Sequence, residues 1–205
     1  MRNNHAVFLR PLPEVPDPNG NGMPEMVYEP FTMFINWLAG ATGSAYPTLT
    51  SGGNDMAGLY LEEFVVGHTF RHTLRKTVTE SDNMLFSVMT LNPQPLHIDF
   101  DFAAKSEWGK PLVNSLFTLG LMIGISVNDI TVGTTVANLG MKETVFPHPV
   151  FHGDTIRVET TVVSTRESKS KPDRGIVEFE HRAYNQDDVL VAKCTRQAMM
   201  LKKAA

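Results

Sequence analysis

Between Asn92 and Asp99 the chain reads Asn-Pro-Gln-Pro-Leu-His-Ile-Asp, gathering two amides, an imidazole and a carboxylate in one short stretch. An imidazole gains or loses its charge near neutral pH and can move a proton as general base or acid. The amides Asn92 and Gln94 can orient a water or a carbonyl oxygen, while Asp99 can accept hydrogen bonds or a proton. Pro93 and Pro95 fix φ and push residues 92 and 94 away from helical backbone, so a rigid, non-helical loop is expected to carry His97.

A second candidate lies shortly downstream. Lys110-Pro111-Leu112-Val113-Asn114-Ser115-Leu116 leads into the most apolar run of the chain, which marks Asn114 and Ser115 as the opening of a helix. The first amides of a helix have no intrahelical acceptor, and together with the helix dipole they favour negative charge, as an oxyanion hole requires. Ordinary capping by Asn114 is compatible with the same residues.

Other chemistry is less well placed. Two histidine pairs, His68 with His72 and His148 with His152, have four-residue spacing. On a helix that spacing would aim both rings at one ion, but along a strand four residues span about 13 Å. Pro149 also interrupts the second pair, so these four histidines are read as structural or surface residues and no metal site is expected. Cys194, the single cysteine, sits in strand-like alternation and is expected to be a buried, inert thiol. The chain lacks a glycine-rich phosphate loop, a dinucleotide fingerprint and a serine nucleophile elbow.

The elements that must position these groups follow a clear change of texture. Residues 1–56 hold seven of the 13 prolines, with one short apolar cluster at Phe31, Phe34, Ile35, Trp37 and Leu38. They are read as a Pro/Gly-rich N-terminal arm, and 57–205 as the folded domain. Regular elements are expected from Leu59 to Val66 and from Thr69 to Val78, the latter a strand with Phe70, Leu74 and Val78 on one face. A helix capped by Ser81 should run to Leu91, with Met84, Leu85, Val88 and Met89 as its buried stripe. A short helix after Asp99 and a central helix over 114–128 follow. The central helix is apolar all round, which predicts burial on nearly every side, and Gly120 and Gly124 are read as allowing close packing on a sheet. Four strands, over 136–146, 154–165, 175–184 and 189–201, are expected to form an antiparallel meander. The class is therefore α+β, a sheet wrapped around a buried central helix.

Composition limits the partners. With 205 residues and a formal net charge of -4, the chain offers no basic field for nucleic acid or an anionic membrane surface. Leu116 to Val127 is too short and too broken by glycine, threonine and serine to span a bilayer. The N-terminal residues do not resemble a secretory signal, and one cysteine excludes an internal disulfide, so a cytoplasmic protein is expected.

The proline-bounded loop, the helix start and Phe146-Pro147-His148-Pro149-Val150-Phe151-His152-Gly153-Asp154-Thr155 together resemble a family. They are similar to the signatures of the MaoC-like, (R)-specific enoyl-CoA hydratases and dehydratases of the hot-dog fold, over roughly residues 58–201. That signature is Asp-x-Asn-Pro-hydrophobic-His, which falls on Asn92, Gln94, Pro95 and His97, and its central-helix glycine falls on Ser115. The resemblance implies a homodimer or higher oligomer, an acyl-CoA substrate with no further cofactor, His97 as base toward water, and the Ser115 amide at the thioester carbonyl. Asn92 departs from the family's Asp, and an amide neither takes nor gives a proton near neutral pH. Either His97 performs both transfers, or Asp99 or Asp101 assists, or the protein no longer hydrates. The amide with Pro-Leu-His after it looks closer to the branch acting on mesaconyl-CoA and β-methylmalyl-CoA. Thioester hydrolysis on the same fold and non-catalytic acyl-CoA binding are the alternatives.

Overall fold

The computed structural model describes residues 58–204; the expected arm over 1–56 lies outside them. A single 3-10 turn, Leu61–Glu63, stands where a longer regular element was expected over 59–66. The strand expected over 69–78 is broken into β1 (Thr69–Arg71) and β2 (Lys76–Thr77), both antiparallel to β4 (Thr155–Glu167). The break falls where His72 turns its ring inward to polar partners, and Leu74 is left exposed.

Helix α1 spans Glu80–Met89. Its cap is Thr79 rather than Ser81: the Thr79 hydroxyl accepts from the Asp82 amide at 3.2 Å, and the Asp82 carboxylate accepts from the Thr79 amide at 2.8 Å. This reciprocal box satisfies two orphan donors at once. The expected apolar stripe is also displaced, since Leu85, Val88 and Met89 are exposed while Asn83 and Ser87 are buried. Helix α1 docks through Phe86, edge-on to Phe117 at 5.7 Å, and through the amide of Asn83.

The proline loop was expected to be non-helical throughout, yet Pro95–Ile98 closes one turn, α2. Pro95 occupies its first position, where a fixed φ suits the helix and the missing N–H would have had no acceptor. Helix α3 (Phe100–Lys105) follows, capped by the Asp99 carboxylate, which accepts from the Phe102 amide at 2.9 Å.

The central helix α4 runs over Ser115–Ile130, capped by Asn114. Thr118, Met122, Ile125, Ser126 and Ile130 are buried on one face, which rests on β4, β5 (Arg174–Tyr184) and β6 (Leu190–Leu201). Among the described residues the opposite face is open. Leu116 is 58% exposed, and a Cβ placed on Gly120 or Gly124 would meet nothing within 4 Å. Those glycines therefore do not serve helix-to-sheet packing, and burial on every side is not achieved among the described residues.

The sheet order is β1-β4-β5-β6-β3, with β3 spanning Thr135–Val145. Strands β4 to β6 form the expected meander, but β3 crosses to pair with β6 instead of β4. Residue alternation sets which side faces a core but leaves the neighbour open, so this crossover was invisible to it. Strand β3 ends the order with side chains largely exposed and its register to β6 shifts at three places.

Along β4 and β5 every second residue faces inward: Ile156, Val158, Thr160 and Val162, then Val177, Phe179, His181 and Ala183. Each such large apolar side chain contributes about 1.5–3 kcal/mol on burial. Within this core the His72 ring lies 2.8 Å from both Asp129 Oδ2 and Thr160 Oγ1, and Thr160 Oγ1 lies 2.9 Å from His181 Nδ1. Burial pushes His181 down to a pKa of about 3, with Arg196 and His72 acting in the same direction. Cys194 is buried, as expected, and burial pushes its thiol up to about 11.

Candidate active site

His97 sits on α2 with its Nδ1 3.0 Å from the Leu112 carbonyl oxygen. A carbonyl only accepts, so Nδ1 carries the proton in the neutral ring and Nε2 keeps a free lone pair. The loop bearing it is cross-tied, since the Leu112 amide donates to the Leu96 carbonyl at 2.9 Å. Asn92 shapes the same loop: its amide donates to the Ser87 carbonyl at 2.9 Å, and its Oδ1 accepts from the Gln94 amide at 3.1 Å.

The start of α4 approaches from the other side. Val113 N–H donates to the Val150 carbonyl at 2.9 Å, Asn114 N–H to Asn83 Oδ1 at 2.8 Å, and Leu116 N–H to Asn114 Oδ1 at 3.0 Å. Among the described residues none accepts from the Ser115 N–H, the first amide of the helix.

A cleft of ≈ 280 Å³ lies between these segments, lined among others by His97, Trp108, Leu112, Ser115, Thr118 and His148. His97 and Ser115, named from sequence, thus share one cavity. Asn92, Gln94 and Asp99 do not line it, and Asn114 is buried behind it as the helix cap. Asp99 is spent on capping α3 and Asp101 pairs with Lys105. His148 presents a second imidazole, its Nδ1 2.9 Å from the Leu190 carbonyl, so its Nε2 lone pair is also free in the neutral ring.

Asn83 escaped the sequence reading altogether. It is fully buried, and its Nδ2 lies 3.0 Å from the His97 carbonyl, 3.1 Å from the Leu112 carbonyl and 3.1 Å from His152 Nε2. Burial lowers the pKa of His152, opposed by Glu80, and so favours the neutral ring that can accept from Asn83. A polar residue among apolar positions of a predicted helix was the available signal. Among the described residues no group of three or more His, Cys, Asp and Glu converges as a metal site.

A family model described as a MaoC like domain matches residues 63–184. The chain is similar to a mesaconyl-CoA hydratase of Cereibacter sphaeroides, 31% identical over 147 residues covering 72% of this chain and 42% of that protein. It is 28% identical over 146 residues to a β-methylmalyl-CoA dehydratase of Chloroflexus aurantiacus, covering 71% and 41% respectively. The chain therefore spans about two fifths of the length of these curated relatives. A conserved hypothetical protein of Mycobacterium tuberculosis with a double hotdog fold superposes with a TM-score of 0.65 at 23% identity, covering 71% of this chain and 45% of that one. The sheet and its central helix are a hot-dog fold, as the order of elements led one to expect.

Proposed function

The chain belongs to the MaoC-like domain family, and on that premise we propose that it is a hydratase or dehydratase acting at the α,β double bond of an acyl-CoA thioester. The observation that carries this reading is that His97 and Ser115, whose N–H finds no acceptor among the described residues, line one cleft. In the hydration direction, the water oxygen bonds to Cβ while its proton passes to His97 Nε2. The π electrons move onto the thioester carbonyl, where the Ser115 N–H holds the enolate oxygen. The proton on Nε2 is then delivered to Cα as the enolate collapses, and dehydration is the reverse.

Asn92 can transfer no proton, Asp99 is a helix cap and Asp101 lies in an exposed pair. Of the two imidazoles that line the cleft, His97 and His148, His97 holds the signature position and is assigned both transfers. The names of the relatives favour a small branched or dicarboxylic acyl group carried on coenzyme A; the proton transfers proposed here call for no separate cofactor. The face of α4 that the described residues leave open supports self-association, and on this reading the protein is a homodimer. A cytoplasmic location belongs to the same reading; among the described residues no helix is long and apolar enough to cross a membrane.

The test is water addition to a panel of enoyl-CoA esters, mesaconyl-CoA included, with His97→Ala beside the parent. A loss of about 10²–10⁴ in kcat is expected for the variant, and full activity in it would sink the mechanism. The amide at position 92 favours one second reading, thioester hydrolysis, which would release free CoA thiol with the double bond unchanged.

A further inference from the structure

We infer that Asn83 is the positioning residue of this site, the side chain that sets the separation between the base and the oxyanion-binding amide. The inference rests on the hydratase reading above. Base and amide come from different segments, α2 and the start of α4, whose direct tie runs through Leu112, three residues before Ser115: its amide donates to the Leu96 carbonyl and its carbonyl lies 3.0 Å from His97 Nδ1. Asn83 touches both. Its Oδ1 accepts from the Asn114 amide at 2.8 Å, one residue before Ser115. Its Nδ2 reaches the His97 carbonyl at 3.0 Å and the Leu112 carbonyl at 3.1 Å. The latter oxygen is also the acceptor for His97 Nδ1, so one carbonyl is shared by the base and by Asn83.

The chemistry admits only one orientation of this amide. The Asn114 N–H can only donate and the two carbonyls can only accept, so Oδ1 must face the former and Nδ2 the latter. Nδ2 has two protons for three acceptors, the third being His152 Nε2 at 3.1 Å. Complete burial of Asn83 denies its amide a water substitute. Asn83 also explains the inverted face of α1: a buried amide replaces the expected apolar contact because α1 is docked through hydrogen bonds to the site.

Asn83→Ala removes every one of these ties, whereas Asn83→Asp keeps an acceptor for Asn114 and loses the donors to His97 and Leu112. If the helix cap were the whole role, the Asp variant would keep its rate. Both variants are expected to lose about 100-fold in kcat, with KM within about threefold of the parent, because misplacement acts on the transition state. Imidazole ¹⁵N spectra should show His97 held as the Nδ1–H tautomer in the parent and as a mixture in both variants. Ser87→Ala, one turn on and equally buried, is the packing control and should keep the parent's rate. A kcat within about threefold of the parent in Asn83→Asp, or an equal loss in Ser87→Ala, overturns the inference. If the parent turns over no thioester, the hydratase reading fails by itself. The tautomer spectra then decide, and an unchanged His97 tautomer in Asn83→Asp overturns the positioning role of Asn83. Should Asn83→Ala not fold, the isosteric Asp variant carries the test.

Discussion

Replacing Ser115 by proline deletes a single backbone N–H, the one assigned to the enolate oxygen, and the local backbone is already suited to the exchange. Ser115 is the first residue of α4, a position where proline is favoured in helices. Asn114 before it has φ -58 and ψ 125, within the extended region that a following proline demands. The deleted N–H has no acceptor among the described residues, so no internal hydrogen bond is lost and the urea midpoint should stay close to the parent's. Catalysis should not. Loss of one oxyanion donor costs about 10²–10³ in kcat, or about 2.7–4 kcal/mol of transition-state stabilisation. Ser115→Ala, which keeps the N–H and loses only the hydroxyl, should stay within about threefold of the parent. The assay is the change in absorbance of the conjugated enoyl thioester on hydration, at saturating substrate. A folded Ser115→Pro protein with the parent's kcat would refute the assignment of this amide.

Stability should depend on pH through His181. Its folded pKa is depressed, so the unfolded chain protonates first as pH falls. The full contribution holds above about pH 6.5 and is lost progressively toward pH 3. Between pH 8 and 5 that amounts to about 2 kcal/mol, which His181→Gln should not show; equal slopes in urea titrations of the two proteins would contradict it. Thr79→Ala removes the hydroxyl of the capping box of α1 and should cost about 1 kcal/mol, with Thr79→Ser retaining most of it in thermal unfolding followed by circular dichroism. Gly120→Leu fills the open face of α4 without touching the interior of one copy. Sedimentation velocity should then show self-association weakened by about tenfold or more, about 1.4 kcal/mol.

Strong periodicity and long uninterrupted runs made α4 and the four long strands legible to within one or two residues. The proline-bounded loop and the helix start singled out His97 and Ser115, the resemblance implied their roles, and the two do share a cleft. What escaped has physical causes. Leu85, Val88 and Met89 of α1 point outward because its inner face carries a hydrogen-bonding amide beside Phe86, and no apolar pattern announces that exchange. Thr79 and Ser81 are equivalent as cap residues until the carboxylate of Asp82 is seen to choose the former. His72 leaves its strand for Asp129 and Thr160, partners 57 and 88 residues farther along the chain. The open face of α4 looked buried because an all-round apolar composition names no neighbour for each face.

Strand β3 has a further consequence. A straight sheet edge is an indiscriminate template, since its row of amides and carbonyls will accept any extended chain. Between Thr135 and Val145 the register is interrupted three times, and Glu143 adopts φ 52. Each interruption changes the spacing of the groups presented outward. Among the described residues, then, this edge matches a passing strand of regular spacing over only a few residues.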